Sequence, residues 1–150
     1  MSPNLHATRI MLADDHAVVR LGLRLLLEGA GATVVGEAES GETASRMYGA
    51  LDPDVLVMDI SMPGIGGLGA LERILNHAPK ARVLMLSAHS DDIMPTRALR
   101  MGARGYLCKR AAPDEFLRAV AEVAKDQRYI DPELAAALAQ QSLDEAARRK

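Results

Sequence analysis

Five polar side chains stand where apolar runs of this chain end, and their types suit a reacting site. Asp14 and Asp15 follow Arg9-Ile-Met-Leu-Ala13, Asp59 closes Val55-Leu-Val-Met58, Ser87 follows Arg82-Val-Leu-Met-Leu86, and Lys109 follows Gly105-Tyr-Leu-Cys108. Carboxylates brought together repel one another unless a cation joins them. Hard oxygen ligands with room for water suit Mg2+ (or Mn2+), which seldom takes an all-protein cage. A divalent ion also neutralises an incoming phosphoryl group, so Asp59 has the means to act as a carboxylate nucleophile and form an acyl phosphate. Lys109 then offers positive charge to the phosphoryl oxygens, and the Ser87 hydroxyl a further hydrogen bond. Singly these signals are weak: an acidic pair after a strand is most often a helix cap, and a lone lysine is usually solvated. Asp59 is harder to explain away, because a carboxylate ending an apolar run is costly to bury without a partner.

The elements that must position these groups follow from periodicity. The four apolar runs just named, with Thr33-Val-Val-Gly36, recur at intervals too long for hairpins. Several are apolar at consecutive positions, as strands of a parallel sheet buried on both faces are. Helical patterns lie between them, in the Val18–Glu28 stretch and over about 41–50, 67–77, 92–101 and 114–125. In the first, Arg20, Arg24 and Glu28 form one narrow polar stripe among apolar residues, which predicts a largely buried helix. Gly31, Gly49 and Gly102 fall near helix ends, where a left-handed cap suits glycine. Five strands alternating with five helices predict an α/β domain built from crossover connections, ending near residue 127. Asp131 and Pro132 then open one more helical segment, as cap and first helical residue, with Ala-rich sequence after them. In an open parallel sheet, sites form outside the carboxyl ends of the strands, which is where the five polar residues stand.

Composition narrows the function classes. The 150 residues are 49% apolar and 25% charged, enough to bury a core. The net charge of −2 gives the chain no electrostatic footprint for nucleic acid. One Phe, three Tyr and no Trp supply no stacking platform for bases or a flavin. A single cysteine, Cys108, fits a reducing cytoplasm and reads as a small core residue, and four scattered histidines argue against structural zinc. No apolar run approaches the length of a membrane span.

The stretches Met11-Leu-Ala-Asp-Asp-His16, Val57-Met-Asp-Ile-Ser-Met-Pro-Gly64, Leu86-Ser-Ala-His89 and Gly102-Ala-Arg-Gly-Tyr-Leu-Cys-Lys109 resemble, in this order, the receiver domain of two-component response regulators. The resemblance covers roughly residues 8–127, leaving 1–7 as an N-terminal extension and 128–150 as a linker helix or tail. It implies a flavodoxin-like five-stranded parallel sheet in the order 2-1-3-4-5 with helices on both faces. It implies Asp59 as phosphoacceptor, with Asp14, Asp15, Asp59 itself and the backbone carbonyl of Ser61 holding Mg2+. Ser87 and Lys109 become the phosphoryl-sensing pair, Tyr106 the switch aromatic that turns inward, and Pro63 and Gly64 the shapers of the loop after Asp59. The implied partner is a sensor histidine kinase, and the implied protein is a phosphoacceptor signalling domain, not an enzyme, with homodimerisation on activation. The run from Gly102 to Leu107 and the Tyr129-Ile-Asp-Pro-Glu-Leu134 tail resemble the subgroup that carries a LuxR-type helix-turn-helix, through which alone DNA would be met.

Two departures from that pattern bear on neighbouring helices. Pro95 falls in the fourth helix and predicts a late start or a bend, and Gly66 and Gly69 predict a weak start to the third. His16 and His89 flank the site and are expected to pack at its rim, His89 with an effect on phosphoryl lifetime. Arg97, Arg100 and Arg104 read as a solvated face. A stand-alone receiver acting on a protein partner is the first alternative. An aspartyl-phosphate hydrolase is the second, although Asp14 and Asp15 are adjacent where such hydrolases space nucleophile and acid two apart. A flavin carrier is the third, and the purified protein is expected to be colourless; a flavin absorption spectrum would revive it.

Overall fold

The computed structural model describes residues 3–88 and 94–149, so the reading of His89 lies outside the described residues. In chain order the elements are β1 (Arg9–Ala13), α1 (Ala17–Gly29), β2 (Thr33–Ala38), α2 (Gly41–Leu51), β3 (Val55–Asp59), α3 (Gly66–His77), β4 (Val83–Ser87), α4 (Met94–Met101), β5 (Gly105–Cys108), α5 (Pro113–Ala124), β6 (Tyr129–Ile130) and α6 (Pro132–Arg148). All strand pairs are parallel, in the order β2-β1-β3-β4-β5-β6. Every residue of β3 and β4 is buried, as their unbroken apolar runs require. One cluster packs α2, α3, α4 and the start of α6 on one face of the sheet, and a second packs α1 and α5 on the other.

The five expected strands and their order are present, and the sheet gains a sixth. The apolar pair Tyr129-Ile130 is too short to register as a strand in the sequence, yet it pairs with Gly105 and Tyr106 of β5. At the other end Leu5 is already a core residue, its amide bonded to the Ala30 carbonyl. Asp131 caps α6 through the amides of Glu133 and Leu134, and Pro132 takes the first turn.

Three local readings are corrected. The first helix is not largely buried: of α1 only Leu27 is, while Val18, Leu21 and Leu25 are exposed. Its arginines are the cause. Arg20 and Arg24 pair with Glu37 on β2, and Arg20 also donates to the Asp14 carbonyl, so α1 turns its polar stripe toward the sheet edge and leaves an apolar strip to solvent. Gly49 lies inside α2, which runs to Leu51 and ends at a left-handed Asp52. Arg9 secures that end by donating to the carbonyls of Leu51 and Asp52. Gly31 and Gly102 do take positive φ just beyond α1 and α4. Pro95 stands second in α4 as described, in the turn whose amides have no helical partner.

The glycines at the start of α3 are a requirement, not a weakness. A Cβ on Gly67 would lie 2.4 Å from the Asp59 carbonyl oxygen and 2.6 Å from the Ile60 Cα, so only glycine lets α3 begin this close to the end of β3. Gly67→Ala is expected to cost about 1–3 kcal/mol by overpacking. A thermal melt should show the midpoint falling by about 3–9 °C; an unchanged midpoint would contradict the packing described.

Candidate functional site

The strand register brings the polar residues level with one another. Ala13 pairs with Met58, Asp59 with Leu86, and Ser87 with Cys108, so Asp14, Asp59, Ser87 and Lys109 emerge at one edge of the sheet. That edge contains the point where strand order reverses about β1, the usual crevice of such sheets. Asp14 and Asp59 are almost fully buried, at 1% and 2% exposure. Lys109 joins them: its Nζ lies 2.8 Å from Asp14 Oδ2 and 2.7 Å from Asp59 Oδ2. Asp15 is the solvent-facing third carboxylate. Ser87 is buried, and its carbonyl accepts the Lys109 amide at 2.8 Å. Tyr106 is inside the core, packed in the cluster that also holds Met58, Met85, Ala98 and Leu134.

His16 does more than pack at the rim. Its amide donates to Asp14 Oδ1 at 2.8 Å, and its Nδ1 lies 3.2 Å from both Asp14 Oδ1 and Asp15 Oδ1. Arg20 was part of an anonymous stripe in the sequence, but its guanidinium holds the Asp14 carbonyl and so fixes the turn after β1.

The loop after Asp59 is held from outside by a residue that nothing in the sequence singled out. Ser61 donates its amide to Asp59 Oδ1 at 3.1 Å. Farther along, Gly64 takes φ +74°, and a Cβ there would lie 2.3 Å from the Glu42 carboxylate oxygens. Glu42, in the first turn of α2, accepts the Ile65 amide at 3.1 Å, and that bond is the chief reason its pKa is lowered. Only the contact across 23 residues of chain distinguishes Glu42 from any other helix-start acid. Pro63 is exposed on the same loop.

Charge decides what this arrangement can hold. Three carboxylates face one ammonium, leaving two negative charges in excess. Burial raises the Asp59 pKa despite the hydrogen bonds from Lys109 and Ser61, and the Asp14 charge adds to the rise. Burial pulls the Lys109 pKa down, but hydrogen bonds to Asp14 and Asp59 and their charges outweigh it, so the amine stays protonated. Asp14, Asp15, His16 and Asp59 each offer one ligand atom, all within 4.8 Å of one another. A set dominated by oxygen and partly open to water fits a hard divalent cation that keeps some of its hydration.

Parallel sheet, acidic crevice and bridging lysine fit a class: the receiver domains of signalling proteins. The family model of the response regulator receiver domain matches residues 10–121, and the chain belongs to that family. It is 40% identical over 135 residues to the response regulator GacA of Pseudomonas aeruginosa, an alignment covering 89% of this chain and 63% of GacA. The chain spans about three fifths of the length of the curated relatives it matches. Among solved structures it is similar to a LuxR-family two-component response regulator from Aurantimonas sp. SI85-9A1, with TM-score 0.87, 36% identity, and coverage of 91% of this chain and 99% of that one. It is also similar to RcsB in a structure of two RcsB dimers bound to two parallel DNAs, with TM-score 0.79, 27% identity, and coverage of 89% and 68%. The protein is thus a two-component receiver domain, and the hydrolase and flavin-carrier readings are set aside.

The raised pKa of Asp59 carries a stability consequence. The folded state binds this proton more readily than the unfolded one, whose value is near 3.8. The ionised group therefore weakens folding at neutral pH and ceases to do so as pH falls through its folded value. Asp59→Asn is expected to melt above the wild type at neutral pH, with the gain shrinking toward pH 3.8. Melting curves across that range check it; a gain that does not shrink would contradict the assignment.

Proposed function

We propose that Asp59 accepts a phosphoryl group from a sensor histidine kinase or a small phosphodonor, with Mg2+ bound by Asp14, Asp15, Asp59 and the Ser61 carbonyl. The observation that carries this is the burial of Asp14 and Asp59 around a single bridging ammonium, with Asp15 beside them. When bound, Mg2+ neutralises charge on the transferring group and the carboxylates. The chain's own residues do the rest. An Asp59 carboxylate oxygen attacks phosphorus and forms the acyl-phosphate bond, while the bond from phosphorus to the donor's imidazole nitrogen breaks. That nitrogen keeps the electron pair, and because the ring's other nitrogen carries a proton in the phosphorylated donor, the imidazole leaves neutral. Lys109, already paired with Asp59, follows the negative charge onto the phosphoryl oxygens, and the Ser87 hydroxyl donates to them. The exposed apolar strip of α1 begins beside His16 and offers a protein donor a surface at the mouth of the site.

The output follows from the same charge change. Drawing Ser87 toward the phosphoryl group, and Lys109 onto it from its pairing with Asp14, shifts an existing equilibrium, with Tyr106 and the face of α4, β5 and α5 as its movable part. Residues 8–127 form the receiver body, preceded by the extension 1–7. Residues 128–150 connect it to a LuxR-type helix-turn-helix beyond this sequence. Phosphorylation then promotes homodimerisation and transcription control in the cytoplasm, as the dimers of RcsB on DNA and the LuxR-family relative suggest. No described helix is long and apolar enough to cross a membrane. A receiver that regulates a protein partner without DNA is the second reading, favoured by the exposed apolar strip on α1.

Intact mass after incubation with acetyl phosphate tests the acceptor. One added phosphoryl group is expected on the wild type with Mg2+, and none without Mg2+ or on Asp59→Asn. Equal labelling of Asp59→Asn would overturn the assignment.

A further inference from the structure

The loop that follows Asp59 is tied to side chains at two points, and both ties end on carboxylates. Near its start the Ser61 amide donates to Asp59 Oδ1, and near its end the Ile65 amide donates to Glu42 Oε1, each at 3.1 Å. Outside these, Ile60 donates its amide to the Leu86 carbonyl and Gly67 donates to the Ile60 carbonyl, which seats the end of β3 and the start of α3. Among the described residues, then, the backbone over 61–66 has Asp59 and Glu42 as its side-chain anchors. The two differ in one respect. Asp59 lies among the acidic groups of the crevice, whereas Glu42 stands apart from them on the first turn of α2.

Glu42 is itself well fixed. The Ser40 hydroxyl accepts the Thr43 amide at 3.2 Å and caps α2 one residue before the helix begins. Gly41 is buried, and a Cβ on it would lie 2.4 Å from the Gly66 carbonyl oxygen and 2.7 Å from the Ile65 Cγ1. The helix start and the loop therefore meet at van der Waals distance beside the Glu42 bond. On the other side of that bond, Gly64 leaves the room that the Glu42 carboxylate fills. Between Ser61 and Gly64 stand only Met62, packed against the core, and Pro63, whose ring locks one torsion. A segment this short, gripped at its far end, passes the position of Gly64 on to the carbonyl of Ser61.

We propose that Glu42 is a positioning residue for the metal: by holding the loop at Gly64 and Ile65 it fixes the Ser61 carbonyl and so sets how tightly Mg2+ binds. This rests on the reading of that carbonyl as a metal ligand. Glu42 touches neither the cation nor the phosphoryl group, and it acts through the loop alone. Mg2+ demands near-octahedral geometry, so a ligand free to wander weakens its binding. A backbone carbonyl can be steadied only through its own chain. When a cation draws on Asp59, the Ser61 amide shares its acceptor with that cation. The bond to Glu42 is not shared, and it becomes the anchor of the loop that does not depend on the site's contents.

Calorimetric titration of the 150-residue chain with Mg2+ alone, without a phosphodonor, tests this. Groups that steady a ligand from behind are typically worth ten- to a hundredfold in metal affinity, so Glu42→Ala is expected to raise the Mg2+ dissociation constant about tenfold. Glu42→Gln keeps an acceptor oxygen for Ile65 and should stay within about twofold of the wild type. Arg9→Ala is the control for a loosened helix, because Arg9 donates to the carbonyls of Leu51 and Asp52 at the far end of α2. It should lower the melting midpoint and leave the Mg2+ constant unchanged. An unchanged constant in Glu42→Ala would overturn the proposal. Equal weakening by Glu42→Ala and Glu42→Gln would overturn it too, since charge and not the bond would then be responsible. So would Arg9→Ala weakening Mg2+ as much as Glu42→Ala. All three leave the acceptor reading standing, provided the wild type forms its Mg2+-dependent adduct with acetyl phosphate. A wild type that neither binds Mg2+ nor forms that adduct would overturn both.

Discussion

The structure depends on one ammonium placed between two buried carboxylates. Asp14 and Asp59 end neighbouring strands whose interiors are wholly apolar, and neither can shed its charge into solvent. Lys109 lies two strands beyond β3 and three beyond β1, a separation on the order of 10 Å or more at ordinary strand spacing. Only a long, flexible cation spans that distance over the end of β4, and taking it away would leave two uncompensated buried charges, a loss that typically costs about 3–5 kcal/mol. One ammonium is nonetheless too little for three carboxylates. The surplus negative charge makes the crevice receptive to a divalent cation.

The surroundings serve to keep that edge in register. Arg20 grips the carbonyl of Asp14, Ser61 supplies an amide to Asp59, and Glu42 holds the loop at Ile65. Glycine at 64 and 67 lets a carboxylate and a strand end approach more closely than any side chain would permit. The same edge is continuous, through β5, with the segment that leaves the domain.

Much of this was legible because it is written locally. Unbroken apolar runs marked β1, β3 and β4 as buried strands, and the polar residue after each run marked the site, since a buried strand can place a charge only at its end. Helix ends with standard chemistry, Asp131-Pro132 among them, were legible for the same reason. What failed depended on neighbours. The exposure of Val18, Leu21 and Leu25 depends on Glu37 attracting Arg20 and Arg24 from another element. The strand at Tyr129-Ile130 exists only because β5 presents an open edge. Gly66 and Gly69 read as a weak helix start until Gly67 between them was seen against the end of β3.

By itself, the sequence determined which residues are available for chemistry, the alternation of strand and helix, and the family to which both belong. These follow from side-chain type and from periods of two and 3.6 residues, which are properties of the chain alone. Only the tertiary structure decided that Lys109 bridges both carboxylates, that His16 faces them, that Glu42 governs the loop after Asp59, and that α6 lies on α4. Each of those joins groups far apart in sequence or depends on which way a turn aims its side chains, and distance in space is not encoded by any local pattern.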